Sequence, residues 1–253
     1  MSESMFNLTG KVAVVTGATR GIGQQLAIAL AEAGADLALL QREPEDQGTK
    51  AVIEGLGRHC IVVPCDLAHM DQVKQAIPAV ISHFGKVDIL VNNAGVQRRA
   101  PAVEFAETDW DDVLQVNLKA VWLLCQAAGR HMTERRQGKI INLASLLTYQ
   151  GGITVPAYAA AKGGIGQLTK ALANEWAKYR VNVNAIVPGY FATDMNEALL
   201  ADQERNKQIT ERIPAGRWGS PEDMKGSIVF LASSASDYIH GHLLAVDGGW
   251  LGR

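Results

Sequence analysis

Short runs of almost continuous apolar residues alternate along the chain with longer segments whose apolar residues recur at helical spacing. The runs span residues 12–16, 36–41, 60–65, 87–92, 139–145, 181–187 and 243–247. Because both faces of each run are apolar, they predict strands covered on both sides, as in a parallel sheet. The helical segments are 21–33, 71–84, 108–134, 157–179 and 221–233. This alternation predicts one doubly wound α/β (Rossmann) domain over residues 1–253, with a parallel sheet of about seven strands and helices on both faces.

Composition and charge narrow the class of protein. Hydrophobic residues make up 47% of the chain, charged residues 20%, and the net charge is −2, as in an ordinary globular protein. The sequence has no basic cluster typical of nucleic-acid binding, no membrane-length apolar run, no secretory signal pattern and no metal-ligand motif. The cysteines Cys60, Cys65 and Cys125 form no CxxC pair and are expected to be small buried side chains. We expect a cytoplasmic protein with a small-molecule substrate and no nucleic-acid, membrane or metal partner.

A glycine-rich loop joins the first predicted strand to the first predicted helix. It reads TGATRGIG over residues 16–23. Glycine allows positive φ angles and the close approach of a phosphate, and a helix N-terminus offers free N–H groups. The loop therefore predicts the pyrophosphate site of a dinucleotide, against the alternative of a tight turn with no chemical purpose. Its contributing residues are Gly17, Thr19, Arg20, Gly21, Ile22 and Gly23.

Tyr158 and Lys162 lie four residues apart in PAYAAAKGG, which places them on one face of a predicted helix. An ammonium group nearby favours phenolate and would lower the tyrosine pKa toward the working pH, as acid/base catalysis requires. Ser145 ends the fifth predicted strand, at the sheet edge where α/β proteins bind ligands. Asn117 is a polar residue on the apolar face of segment 108–134. Each residue alone has a structural explanation, whereas together they predict a proton-transfer centre.

Taken together, these motifs resemble the short-chain dehydrogenase/reductase family. Ser145, Tyr158, Lys162 and Asn117 match the family's catalytic tetrad in order and approximate spacing. Ala161 stands where many members have serine, a position that transfers no proton. The resemblance implies that Tyr158 exchanges a proton with the substrate oxygen and Ser145 binds that oxygen. It also implies that Lys162 lowers the Tyr158 pKa and binds the nicotinamide ribose, while Asn117 helps to order a water.

The resemblance also implies an NAD(P)(H) cofactor and further contacts to it. Asp66 and Leu67 match the pair beside the adenine, Asn93, Ala94 and Gly95 match the NNAG motif, and Pro188, Gly189, Phe191 and Thr193 match the segment beside the nicotinamide. Segments 108–134 and 157–179 are apolar on more than one face, and such helices need cover on both sides. Subunit packing supplies that cover in this family, so we expect a homotetramer. The C-terminal GGWLGR is a candidate contact with a neighbouring subunit.

The residues after the second predicted strand leave the choice between NAD and NADP open. An acid there would bind the ribose 2′-hydroxyl of NAD, whereas this strand ends at Gln41, followed by Arg42 and Glu43. Arg42 and Arg20 could clamp the 2′-phosphate of NADP, and as an alternative both are solvated surface residues. Glu43 turned inward would favour NAD, as does the subgroup resemblance described next.

Longer strings resemble one branch of the family that acts on sugar acids. NNAGVQRR, SLLTYQGGITVPAYAAAK and RIPAGRWGSPED are similar to the group named 2-deoxy-D-gluconate 3-dehydrogenase or 2-dehydro-3-deoxy-D-gluconate 5-dehydrogenase. Gluconate 5-dehydrogenases and 3-oxoacyl-carrier-protein reductases are the alternatives. A non-catalytic nucleotide sensor is an alternative of another class, against which the complete tetrad argues.

Four residues are candidate substrate contacts, namely Arg98, Arg99, Gln150 and Tyr190. The two arginines suit a carboxylate, although a charged surface turn explains them equally. Segment 192–217 is polar and follows the nicotinamide motif, so it is a candidate lid over the substrate.

Overall fold

The computed structural model describes residues 4–253, which form a seven-stranded parallel sheet covered by helices on both faces. The strands are β1 (Val12–Thr16), β2 (Asp36–Gln41), β3 (Cys60–Pro64), β4 (Ile89–Asn92), β5 (Gly138–Leu143), β6 (Val181–Pro188) and β7 (Leu243–Val246). Their spatial order is β3-β2-β1-β4-β5-β6-β7, so the chain reverses direction across the sheet between β1 and β4. The prediction of a doubly wound parallel sheet is confirmed.

Helices pack on the sheet because alternate strand residues point to opposite faces. They are α1 (Gly21–Glu32), α2 (Gly48–Gly55), α3 (Met70–Phe84), α4 (Glu107–Leu114), α5 (Ala120–Arg135), α6 (Pro156–Trp176), α7 (Glu197–Ala201), α8 (Gln203–Arg212) and α9 (Lys225–Ala232). Val14 of β1 belongs to the core cluster that includes residues of α3, α5 and α6, while Val15 belongs to the one that includes residues of α1 and α9. The sheet therefore separates two hydrophobic layers.

Several element boundaries differ from the prediction for physical reasons. The segment predicted as one helix over 108–134 is divided by a π-helical turn at Gln115–Lys119. Segment 221–233 begins with a 3₁₀ turn at Pro221–Met224 before α9. Three further helices were not predicted, since α2 buries only two of its side chains, α8 only one and the short α7 none. None of them carries an apolar stripe. The strand predicted over 139–145 ends at Leu143, which places Ser145 in the loop beyond it.

A buried carboxylate joins several elements at the amino ends of the strands, opposite the glycine loop. Asp88, 3% exposed, accepts hydrogen bonds from Val12 N at 2.9 Å and Arg135 at 2.9 Å, and lies 3.2 Å from Lys86 Nζ. Burial alone would raise the pKa of Asp88, but these donors together hold it below its usual value. The contacts join β1, the start of β4 and the end of α5.

The three cysteines are buried and unpaired, as predicted. Within residues 4–253, none of the helices has both the length and the apolar character needed to cross a membrane.

Candidate active site

The glycine loop packs backbone against backbone at the carboxyl end of β1. Gly17 and Gly21 have φ angles of +64° and +58°, and a Cβ on Gly23 would lie 2.1 Å from the Gly17 carbonyl oxygen. No side chain caps the N-terminus of α1, and its first turn contains no acidic residue. Its first N–H groups and the positive end of the helix dipole are thus available to an anion. This arrangement fits the pyrophosphate of a dinucleotide.

The NNAG motif supports the glycine loop from the neighbouring strand. Thr16 Oγ1 accepts hydrogen bonds from Asn93 N and Ala94 N, both at 2.9 Å. The Asn93 Nδ2 group donates to the carbonyl oxygens of Thr16 and Gly17 at 3.0 and 3.1 Å. A Cβ on Gly17 would lie 2.9 Å from Ala94 Cβ. The amide of Asn93 is therefore committed to holding the loop, where β1 and β4 meet at the reversal point of the sheet.

Asn117 lies in the π-helical turn between α4 and α5 and is 1% exposed. Its Oδ1 accepts from Val96 N and its Nδ2 donates to Val96 O, both at 2.8 Å. A Cβ on Gly95 would approach Asn117 Oδ1 to 3.1 Å. The side chain thus clamps the segment after β4, and π-turns of this kind are frequent at functional sites.

Ser145 is tied to α6 through a short capping turn. It precedes the 3₁₀ turn Leu146–Thr148, and its Oγ accepts from Leu147 N at 3.2 Å. Thr148 Oγ1 in turn accepts from Ser145 N at 3.3 Å and donates to Lys162 O at 2.9 Å. Since the Ser145 oxygen already accepts one bond, its own hydrogen is left to be donated to another group.

Tyr158 and Lys162 lie one turn apart in α6, beside Ser145. The Lys162 Nζ is buried, donates to Leu143 O at 2.6 Å and lies 5.6 Å from the centroid of the Tyr158 ring. Burial lowers the pKa of Lys162 to about 8. Burial also raises the pKa of Tyr158 to about 12, against smaller opposing effects of Ser145 and the Arg99 charge. This differs from the expectation that Lys162 lowers the tyrosine pKa, because desolvation of the phenol outweighs the charges near it.

The two arginines predicted to bind a 2′-phosphate each pair with a carboxylate of this chain. Arg20 Nε lies 3.2 Å from Asp194 Oδ2, and Arg42 donates to Glu43 Oε1 at 2.9 Å. The hydrogen bond from Arg42 to Glu43 raises the pKa of Arg42. Both arginine side chains are at least 70% exposed, and exposed pairs of this kind contribute only about 0–1 kcal/mol. A phosphate would therefore compete for either arginine at little cost.

The remaining predicted cofactor residues flank the same edge of the sheet. Asp66 accepts from Ala68 N at 2.9 Å in the turn before α3, and Leu67 is buried beside it. Pro188 ends β6, where a Cβ on Gly189 would lie 2.6 Å from Asp247 Cα. The structure also brings the methyl group of Thr193 to 3.9 Å from the position of a Cβ on Gly21. Phe191 is buried, and Thr19 and Ile22 lie within the loop and first helical turn.

Arg98 and Arg99 are held in different ways. Arg98 donates to Asp112 Oδ2 at 2.7 Å and lies 3.6 Å from Asp109 Oδ1, so two acids of α4 hold its charge. Arg99 donates to the uncharged Gln97 Oε1 at 3.0 Å, and its charge is one of the smaller effects that oppose the rise of the Tyr158 pKa caused by burial. Of the predicted pair, Arg99 is thus the one with a charge near the reacting group and no carboxylate partner among residues 4–253.

Gln150 and Tyr190 meet two tryptophans that sequence reasoning did not select. Gln150 Oε1 accepts from Trp250 Nε1 at 3.2 Å. The Tyr190 ring lies 4.8 Å from that of Trp250 and 5.3 Å from that of Trp218, measured between centroids. The C-terminal segment therefore folds onto its own chain instead of extending away from it. The sequence did offer one signal for these contacts, namely a large aromatic residue in each of two otherwise non-aromatic strings, RWG at 217–219 and GGW at 248–250.

No three His, Cys, Asp or Glu side chains among residues 4–253 are grouped closely enough to hold a metal ion.

A parallel sheet in this order, with a glycine loop at its reversal point and a serine, a tyrosine and a lysine beside it, defines a class of nucleotide-dependent oxidoreductases. The sequence agrees, because residues 17–251 match the profile of a family described as enoyl-(acyl carrier protein) reductase. The chain belongs to the short-chain dehydrogenase/reductase family. It is 51% identical to the 2-dehydro-3-deoxy-D-gluconate 5-dehydrogenase of Escherichia coli strain K12, over 100% of both chains.

Two examples illustrate the solved structures that are similar over nearly the whole chain. One is a protein from Agrobacterium tumefaciens described as a 2-deoxy-D-gluconate 3-dehydrogenase, with bound NADP. It is 50% identical with a TM-score of 0.92, covering 99% of this chain and 100% of the other. The second is a gluconate 5-dehydrogenase from Burkholderia cenocepacia in complex with NADP and tartrate, 42% identical with a TM-score of 0.94 over 98% of both chains.

Proposed function

We propose that this chain is an NAD(P)-dependent dehydrogenase, EC 1.1.1, that interconverts a secondary alcohol and a ketone on a sugar acid. The observation that carries the proposal is the placement of Ser145, Tyr158 and Lys162 beside a glycine loop at the carboxyl edge of the sheet. The relatives named above support 2-deoxy-D-gluconate or 2-dehydro-3-deoxy-D-gluconate as the substrate type. Gluconate 5-dehydrogenation is the second candidate, favoured by the Burkholderia structure.

In the reductive direction, Tyr158 donates a proton to the substrate oxygen. A bound nicotinamide supplies the hydride, or accepts one in the reverse direction. Burial raises the Tyr158 pKa to about 12, so the phenol is protonated near neutrality and has a proton to donate. The free hydrogen of Ser145 binds the same substrate oxygen, because the Ser145 Oγ already accepts from Leu147 N. Both groups therefore meet one oxygen atom.

In the oxidative direction, Tyr158 takes the proton from the substrate hydroxyl. A positive charge nearby favours the phenolate, and the Lys162 Nζ lies 5.6 Å from the ring, although burial of the phenol opposes its ionisation more strongly. One ammonium hydrogen binds Leu143 O, which fixes the head of the lysine and leaves two donors for the ribose hydroxyls. Asn117 keeps the segment after β4 in place, and its link to an ordered water stays a prediction.

The loop Gly17–Gly23 and the residues beside it would hold the cofactor. The N–H groups of Gly21, Ile22 and Gly23, which no side chain caps, would bind its pyrophosphate. Arg42, exposed at the end of β2, favours NADP over NAD, and the relatives crystallised with NADP support this choice. Glu43 opposes it by pairing with Arg42. For the substrate carboxylate, we assign binding to Arg99, because its guanidinium bonds the uncharged Gln97 whereas Arg98 is paired with two acids.

The oligomer is proposed to be a homotetramer acting in the cytoplasm. A groove between α4, the π-helical turn, α5 and α6 is lined by apolar side chains and by polar ones, namely Leu114, Leu118, Trp122 and Leu168 with Asp111, Gln115 and Lys119. Trp122 is 41% exposed there, which is unusual for so large an apolar side chain. A second copy of the chain would cover it. The three buried, unpaired thiols support a reducing compartment.

A substrate panel tests the proposed function. Purified protein is assayed with NAD(H) and NADP(H) on 2-dehydro-3-deoxy-D-gluconate, 2-deoxy-D-gluconate, gluconate, 5-keto-gluconate, a simple ketone and a 3-oxoacyl thioester. The proposal expects the highest kcat/KM on a deoxygenated sugar acid. A preference for gluconate would favour the second candidate, and a preference for the thioester or the simple ketone would refute the sugar-acid assignment.

A further inference from the structure

Trp250 is buried although it lies three residues from the C-terminus. It is 4% exposed and begins the 3₁₀ turn Trp250–Gly252. Its indole meets three separate parts of the chain: Gln150 in the loop after Ser145, Tyr190 after β6, and Arg212 at the end of α8, whose guanidinium lies 3.9 Å from the ring centroid. Arg212 belongs to segment 192–217, which the sequence predicts to be a lid over the substrate, and Gln150 belongs to the loop after Ser145.

The turn that carries Trp250 is fixed to the base of the lid. Asp247 accepts from Gly249 N through Oδ1 and from Leu251 N through Oδ2, both at 2.9 Å. Gly248 has a φ angle of +64°, and a Cβ there would lie 2.8 Å from the Ile213 side chain. Its carbonyl oxygen accepts from Ala215 N at 3.0 Å. The position of the indole is thus fixed by contacts that do not involve Gln150.

The hydrogen bond to Trp250 determines which way the Gln150 amide points. An indole N–H is only a donor, so the atom facing it must be the Gln150 oxygen and not the nitrogen. Both N–H bonds of the amide then point away from Trp250. Among residues 4–253, no protein group accepts a hydrogen bond from that nitrogen, nor is it a buried atom without a partner. Two hydrogen-bond donors are consequently presented to an oxygen-rich molecule.

We propose that Trp250 is a positioning residue that orients the Gln150 amide to donate hydrogen bonds to the substrate. Its contact with Arg212 additionally ties the end of the lid to the same point. The inference rests on the proposed function, because a polyhydroxylated carboxylic acid supplies the oxygens that accept these bonds.

Trp250→Phe tests the orientation, since phenylalanine retains an aromatic ring and loses the N–H donor. With the best substrate of the panel, KM should rise about three- to tenfold, the effect of one hydrogen bond. The kcat and the Kd for NADPH should stay close to wild type, while the Tm should fall somewhat because the smaller ring loses buried contacts with Tyr190 and Arg212. Tyr238→Phe is the matched control, because Tyr238 is 99% exposed and loses a polar group from a ring outside the site.

Variants of Gln150 separate positioning from a merely structural role. Gln150→Glu keeps an acceptor for the indole but replaces the donors with a negative charge, so KM should rise more than in Trp250→Phe at unchanged Tm. In a Gln150→Ala background, Trp250→Phe should have no further effect on KM. The two effects are non-additive only if Trp250 acts through Gln150.

Several results would overturn the inference. They are a wild-type KM in Trp250→Phe, an undiminished KM effect of that change in the Gln150→Ala background, or a fall of kcat together with Tm. If Trp250→Phe does not fold, the KM of Gln150→Glu serves as the test. An unchanged KM in that variant would also refute the inference. Failure of the proposed function is distinct, because it appears in the wild type as absence of sugar-acid turnover.

Discussion

At the scale of single residues, burial shifts the pKa values of the two central groups in opposite directions. It raises that of Tyr158 to about 12 and lowers that of Lys162 to about 8. Each shift favours the uncharged form, because transfer of a charge out of water costs free energy. The phenol of Tyr158 is therefore protonated near neutrality. The buried ammonium of Lys162 lowers the free energy of unfolding when it is charged.

Lys162→Met tests that cost through the pH dependence of stability. A lysine with a folded pKa of about 8 and an unfolded pKa of about 10.4 binds fewer protons in the folded state between these values. The free energy of unfolding therefore rises with pH between these two values. The stabilisation is fully present above the unfolded pKa, and it is lost as the pH falls through about 8, where the folded lysine becomes charged. Within the window the slope is up to about 1.4 kcal/mol per pH unit.

Urea unfolding of wild type and Lys162→Met from pH 7 to 9.5 measures this contribution. The wild type should gain stability relative to the variant as the pH rises. Tyr158 and the three cysteines, whose pKa values are raised, are present in both proteins and largely cancel in the difference. A difference that stays flat across this range would refute the buried-charge interpretation.

The sequence predicted residues whose partners lie nearby in the chain. Tyr158 and Lys162 are one helical turn apart, so spacing alone placed them together. Trp250 and Gln150 are a hundred residues apart, and no periodicity connects them. The same reason explains why the carboxylate partner of Arg20, at Asp194, could not be read from the sequence.

At the scale of elements, the glycine loop and the first turn of α1 leave no room for a side chain at Gly23. In Gly23→Ala the new methyl group would meet the Gly17 carbonyl at 2.1 Å and Asn93 Nδ2 at 2.3 Å. Since Asn93 itself holds the loop, neither neighbour can yield without opening the phosphate site. The affinity for NADPH, measured by quenching of tryptophan fluorescence, should fall by about tenfold or more.

Gly55→Ala is the control for this change. Gly55 lies near the end of α2 with open space around its Cβ position, so alanine should leave the affinity unchanged and raise Tm slightly. Equal NADPH affinity in the two variants would contradict the close packing proposed for the loop.

The ion pairs of Asp88 join β1, β4 and α5 at the edge of the sheet away from the site. Arg135→Met leaves the buried carboxylate with fewer donors and should lower the free energy of unfolding by about 1–3 kcal/mol at pH 7. Because the pKa of Asp88 is lowered in the fold, this stabilisation is present above the unfolded pKa and is lost as the pH falls through the folded pKa.

Chemical denaturation at pH 7 and pH 3.5 checks that sign, and the gap between wild type and Arg135→Met should narrow at the lower pH. The kcat of the variant should match wild type, since Arg135 lies at the opposite edge of the sheet. A gap that widens in acid would contradict the role given to Asp88.

Elements with an apolar stripe or an apolar run were predictable, whereas α2 and α8 were not. In α8 only Ile209 is buried, so its helical period does not appear in the hydrophobic pattern. The π-helical turn at Gln115–Lys119 is hidden for the opposite reason. Apolar residues continue through it, and the single extra residue per turn is a matter of backbone hydrogen bonds.

At the scale of the whole molecule, the parallel strand order brings motifs from distant parts of the chain to one edge. Residues 17–23, 93–95, 145 and 158–162 all follow or face the carboxyl ends of β1, β4 and β5. That convergence followed from the alternation of strands and helices, so the location of the site was predictable although its contacts were not. The prediction of a single domain over residues 1–253 stays a prediction.

Trp122→Glu tests the proposed assembly. If a second copy covers the groove, a carboxylate beside Leu118 and Leu168 loses its hydration at a cost of several kcal/mol, of which Lys119 in the same lining offsets a part. Light scattering should show a tetramer for wild type and smaller species for the variant. Tyr238→Glu, at a fully exposed position, should remain tetrameric, and a monomeric wild type would refute the assembly.

The most direct test of the central claim is the turnover of Tyr158→Phe beside its NADPH affinity. Phenylalanine preserves the ring and removes the hydroxyl group whose proton is exchanged with the substrate. We expect a loss of kcat of about 10²–10⁴-fold or more, with a Kd for NADPH within about twofold of wild type. A variant that keeps wild-type turnover would show that Tyr158 is not the acid/base of this protein.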